Sequence, residues 1–95
     1  MNIPLENFFS ETLRETLEQV SQSQEQIAND TGIPKQHLSE MKLGKRRCTV
    51  EYDLRLSRYF GTTNGFWLRL QLDYDLMKVE REKGKVIQKE VHPAA

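Results

Sequence analysis

Lys35, Gln36, Ser39 and Glu40 fall on one side of a short helical stretch and carry groups that can read the edges of bases. Base readout needs a side chain that makes two hydrogen bonds in the major groove. Gln36 suits adenine N6/N7 and Lys35 suits guanine O6/N7, each pair giving roughly 1–3 kcal/mol of discrimination. Ser39 acts at close approach, and Glu40 can accept from cytosine N4 while its charge opposes nearby phosphates. Gln24 opens the preceding helical stretch, where a side-chain amide and free backbone N–H groups meet a phosphate. Lys42, Lys45, Arg46 and Arg47 follow as cations suited to the flanking backbone.

Two helices and a turn must position these groups. Ser23 is a good N-cap, and Gln26 three residues on completes an S-x-x-Q capping box. Ile27, Ala28 and Thr31 recur at helical spacing, so a helix is predicted over Gln24 to Thr31. Gly32 suits the left-handed backbone that closes a helix. Pro34 fits the first turn of the next helix, predicted to reach Leu43 before Gly44 ends it. Leu38 and Met41 point inward. A short helix with a polar, long-armed outer face, propped across a tight turn, is the shape that enters a major groove.

The net charge of the 95 residues is zero, which would argue against nucleic acid if evenly spread. Residues 1–34 hold one base, Arg14, against six acids, whereas residues 35–58 hold seven bases against three acids. Phosphate responds to the local field more than to the total. The basic excess sits on the second short helix and its exit loop, so binding is expected to depend strongly on salt and on dimerisation. A single cysteine, Cys48, can form no internal disulfide and fits a reducing cytoplasm. It suits a small buried hydrophobe, or a thiol activated by Arg46 and Arg47. No apolar run approaches the ~20 residues that span a bilayer, and no basic-then-apolar leader begins the chain.

Around this unit the spacing predicts an all-α, five-helix domain over residues 1–83, with residues 84–95 as a tail. The first helix is expected from about Leu5 to Val20, with Phe9, Leu13, Leu17 and Val20 inside. The fourth, capped by Thr49, runs from Val50 to Phe60 and buries Leu54, Leu56 and Phe60. Thr63 can cap the fifth, which is expected to stop before Gly84. Lys85 to Val91 alternates weakly, as a short strand or an unstructured end would. Phe66, Trp67, Leu70, Tyr74 and Met77 make the fifth helix more apolar than a four-helix unit needs. A two-fold interface on that stripe would set two reading helices roughly 34 Å apart. His37 and His92 lack partners at metal-ligand spacing, Asp73 and Asp75 diverge on a helix, and no nucleophile elbow, P-loop or dinucleotide signature occurs. Neither catalysis, nor a metal, nor a cofactor is expected.

The segment SQEQIANDTGIPKQHLSEMKLGKRRCT, with YDLRLSRYFGTTNGFWLRLQLDYDL after it, resembles the HigA/VapI type of Xre-family (lambda-repressor-like) antitoxin over Ser10 to Glu82. The first half is shared with many Xre regulators. The order G-T-x-x-x-F-W-L-x-L-Q-x-x-Y-D-L, Gly61 to Leu76, is the more specific part. The resemblance implies a homodimer that binds a palindromic double-stranded operator, represses its own toxin–antitoxin operon and neutralises a HigB-type mRNA-cleaving toxin. It places Gln24 on phosphate and Lys35, Gln36, Ser39 and Glu40 at the bases. The family often has Pro-Gly before the first helix, where Leu5-Glu6-Asn7 stands. It usually has Asn-Gly after the third, where Leu43-Gly44 stands. A solitary Xre regulator, or an interaction module using the fold as scaffold, would share the same residues. A toxin-sized neighbouring gene would single out the antitoxin.

Overall fold

Helical signals local to the chain account for the first four elements, and a long-range contact accounts for the fifth. The computed structural model describes residues 5–94, with α1 (Phe8–Gln19), α2 (Gln24–Thr31), α3 (Lys35–Lys42), α4 (Val50–Phe60) and α5 (Phe66–Glu90). No strand occurs among the described residues. The first helix starts three residues later than expected because Asn7 is its N-cap, its Oδ1 accepting from Ser10 N at 3.1 Å. Ser23 Oγ accepts from Gln26 N at 3.1 Å, but the Gln26 amide turns forward to Asp30. The capping box is therefore only half made.

Helices α1, α3 and α4 surround a core in which Phe9, Leu13, Ile27, Ile33, Leu38, Met41, Leu56 and Trp67 are almost wholly buried. Trp67 is its largest member, set edge-on to Phe9 and Phe66 at 6.3 and 5.0 Å between ring centroids. Leu17, Val20 and Phe60 pack on the rim. Leu54, expected inside, is 45% exposed; the inward positions of α4 go to Asp53, Leu56 and Ser57 instead.

Asp53 explains how α5 starts. Its Oδ2 accepts from Gly65 N at 2.6 Å, and its Oδ1 from Trp67 N and Leu68 N at 2.9 and 3.1 Å. A buried carboxylate on α4 thus satisfies the free N–H groups of the first turn of α5 and meets the positive end of its dipole. Thr63 is not the cap: its carbonyl accepts from Ser57 Oγ and Phe66 N.

At the other end, α5 runs through Gly84 to Glu90. The expected tail over 84–95 is therefore helical up to residue 90, neither strand nor unstructured there. A glycine costs a helix interior only about 1 kcal/mol, and Glu80 to Lys83 and Lys85 around it are good helix formers. The 25-residue helix is roughly 37 Å long and leaves the core after Asp75, consistent with a molecule measuring 51 × 30 × 19 Å.

That long helix carries two apolar stripes. Phe66, Leu70, Tyr74 and Met77 lie on one arc, of which Phe66 and Leu70 pack against the core; Trp67, at 1% exposure, is inside it. Trp67 is therefore removed from the expected interface set. At 100° per residue, Leu72, Leu76, Val79, Val86 and Ile87 fall on nearly the opposite arc, and all are exposed. No helix among the described residues is long and apolar enough to cross a membrane.

Candidate nucleic-acid interface

The expected reading helix is held on three sides. Gly32, at φ +74, turns the chain between α2 and α3, and Leu38 and Met41 anchor α3 in the core. At its C-terminus Gly44, at φ +77, allows a Schellman closure: Gly44 N donates to Met41 O at 3.2 Å and Lys45 N to Glu40 O at 2.7 Å. On the flank, His37 Nδ1 lies 2.6 Å from the Tyr52 hydroxyl. His37 is thus a half-buried brace against α4 as well as a residue of the reading helix.

Lys35 and Gln36 remain exposed at the start of α3. Gln24 is half-buried and spans the two helices: its Nε2 donates to Ser39 Oγ at 2.7 Å, and Lys42 Nζ donates to its Oε1 at 3.1 Å. The residue expected on phosphate therefore also fixes two expected DNA contacts, a role only the fold could show. Glu40 meets Arg46 at 2.9 Å. That pair answers the repulsion expected of a carboxylate near phosphates, because each charge is screened by the other. Lys45 is exposed at the tip of the loop, and Leu43 beside it is 62% exposed.

The last basic residue sits apart. Arg47 Nη1 donates to Asp75 Oδ1 at 2.8 Å and Nη2 donates to Oδ2, a two-pronged pair with α5. The hydrogen bond from Arg47 holds the Asp75 carboxyl below the usual aspartate range, and Asp75 raises the Arg47 guanidinium. Since the folded value is the lower one, the pair's contribution is present above the ordinary aspartate range and fades as pH falls below it. Gln71 joins the same cluster, donating to Asp75 Oδ1 at 3.2 Å and accepting from Cys48 N at 3.3 Å. Cys48 itself is buried, and desolvation pushes its thiol up to about 12. The small-hydrophobe reading of Cys48 fits, and the activated-thiol reading does not. Asp53, Gln71 and Asp75 were not among the expected site residues. A hint lay in the sequence, since Asp53 shares an i, i+3, i+4 face with Leu56 and Ser57.

Among the described residues no group of three or more His, Cys, Asp or Glu could hold a metal ion. What the surface offers is a polar short helix, a bracing glutamine and a cationic loop. Fold and site together define a helix-turn-helix protein of the lambda-repressor-like class.

Comparison with known proteins narrows that class. No protein-family model matches the chain. It is 32% identical over 77 residues to virulence-associated protein I of Dichelobacter nodosus, covering 80% of this chain and 71% of that protein. Its fold matches an addiction module antidote protein of the HigA family from Coxiella burnetii, with TM-score 0.84 and 38% identity, covering 90% of this chain and 95% of the other. Pseudomonas aeruginosa antitoxin HigA, solved with the higBA promoter, matches with TM-score 0.83 and 28% identity over 92% and 96% of the two chains. The chain belongs to the HigA family of antitoxins, with a VapI-type protein among its relatives.

Proposed function

We propose that this chain is a DNA-binding antitoxin that dimerises, represses its own toxin–antitoxin operon and neutralises a HigB-type mRNA-cleaving toxin. The observation that carries the DNA-binding reading is the outer face of α3. Lys35 and Gln36 stand free there, while Ser39 and Lys42 are held by Gln24 on the helix behind. Such preorganisation leaves little side-chain entropy to lose on docking. The P. aeruginosa antitoxin solved with its promoter, on the same fold, supports the assignment of that face to a major groove. Base contacts fall to Lys35, Gln36 and Ser39, with Glu40 at the edge of the set. Backbone contacts fall to Gln24, Lys42 and Lys45, with Arg46 held beside them by Glu40.

The dimer reading moves from the stripe first expected to the opposite arc of α5. Leu72, Leu76 and Val79 recur at i, i+4, i+7 and continue to Val86, the spacing of a helix that packs along a second helix. These side chains are exposed on a segment that no other element covers. Pairing two copies there would give two reading helices for a two-fold operator. The toxin partner rests on family membership alone.

Binding to the DNA upstream of the chain's own gene tests the reading. Gln36→Ala is expected to lose roughly ten- to hundredfold in affinity, concentrated at one base pair of each half-site. Lys45→Ala should weaken all sequences alike and flatten the dependence of log K on log salt by about 0.9. If neither variant differs from the parent in titrations by fluorescence anisotropy, α3 is not the reading helix.

A further inference from the structure

We infer that Gln71 and Asp75, one turn apart on α5, form a latch that ties down the loop after α3 and withholds Arg47 from phosphate. The loop between α3 and α4 holds three consecutive cations, Lys45, Arg46 and Arg47, and composition alone would assign all three to the DNA backbone. The geometry divides them. Arg46 turns back to Glu40 on the reading helix, whereas Arg47 reaches across to α5 and presents both terminal nitrogens to one carboxylate. Parallel bonds of this kind match guanidinium to carboxylate in the same way that they match guanidinium to phosphate, so the two anions compete for one fork.

The tie is more than a surface pair. Gln71, 4% exposed, bridges the carboxylate and the backbone N–H of Cys48, so α5 grips the loop by a side chain and by the main chain. Gln71 and Asp75 are the last residues of α5 to touch the domain before the helix projects, and Leu72 and Leu76 follow each of them directly on the exposed stripe. The helix that carries the apolar surface thus also sets how many charges the loop offers to DNA. Asp75 is a positioning residue: it acts on DNA only through Arg47.

The inference about phosphate rests on the DNA-binding reading, whereas the latch does not. Two measurements on the full chain separate them. The first is the rate at which Cys48, the only thiol, reacts with 5,5′-dithiobis(2-nitrobenzoate). Release of the loop in Asp75→Asn or Arg47→Ala should speed this reaction severalfold, up to about fivefold for a pair of this exposure. An unchanged rate in both variants overturns the latch. The second is the salt dependence of binding to upstream duplex DNA. Asp75→Asn frees a cation, so its slope should steepen by about 0.9, and Arg47→Ala should keep the parent slope. A slope flattened by about 0.9 in Arg47→Ala, or an unaltered one in Asp75→Asn, overturns the withholding of Arg47. Absence of any DNA binding by the parent chain at low salt would instead sink the proposed function, with the thiol rates still deciding the latch.

Discussion

Asp53→Ala is expected to destabilise the chain by about 3–4 kcal/mol, lowering the melting temperature by roughly 15–25 °C. Asp53 is 1% exposed and accepts three backbone N–H bonds at the start of α5. Hydrogen bonds to a charged acceptor contribute about 1.5–3 kcal/mol, and removing the acceptor also strands buried donors without water. An ordinary exposed N-cap costs about 1 kcal/mol when truncated, so the excess measures burial. Asp53→Asn keeps one acceptor oxygen and should lose about half as much. Urea unfolding followed by circular dichroism provides the comparison. A loss below about 0.5 kcal/mol for Asp53→Ala would mean that α5 is held by Trp67 and its aromatic neighbours alone.

Leu76→Glu is expected to leave the fold intact and to weaken operator binding by a hundredfold or more. Leu76 is 59% exposed, so replacing it removes no core contact. Thermal unfolding of the dilute protein should shift by less than a few degrees, as surface substitutions commonly do. On the proposed two-fold interface, however, two glutamates would face each other across an apolar seam. Charges buried without partners cost several kcal/mol each. The protein should then sediment as a monomer, and a monomer engages one half-site where a dimer engages two. Met77→Glu, on the opposite arc, should stay dimeric. Sedimentation equilibrium would reject the interface if Leu76→Glu associated as tightly as its parent.

Elements whose signals lie within a few residues were legible in the sequence. Ser23 as cap, Gly32 as turn, Leu38 and Met41 as anchors, and Gly44 as closure all recur in the structure where local chemistry places them. What escaped was set by contacts distant in the chain. Asp53 displaced Thr63 as the cap of α5 because a carboxylate 12 residues upstream offers two oxygens to three donors. Gly84 looked like a terminus because a propensity of about 1 kcal/mol was read without its helix-favouring flanks. The aromatic residues of α5 drew the interface expectation because they are large, yet size made them core, and the smaller Leu72, Leu76 and Val79 were left outside. For the site, residue types pointed to the face of α3, but the partners of Gln24, Glu40 and Arg47 depend on which helices lie beside them. Arg47 shows the difference most plainly: its neighbours in sequence are cations, and its neighbour in space is an acid.

The carboxylate of Asp53 grips α5 by one end only, which makes the helix a lever. A tilt of ~5° at that clamp would carry the far end of a 37 Å rod by about 3 Å, close to the rise of one base pair. Two copies joined along their levers would set the separation of their reading helices by angles fixed in two small, dry hinges. The operator spacing this chain accepts would then be written less in the residues that face DNA than in the stiffness of one buried aspartate's hold.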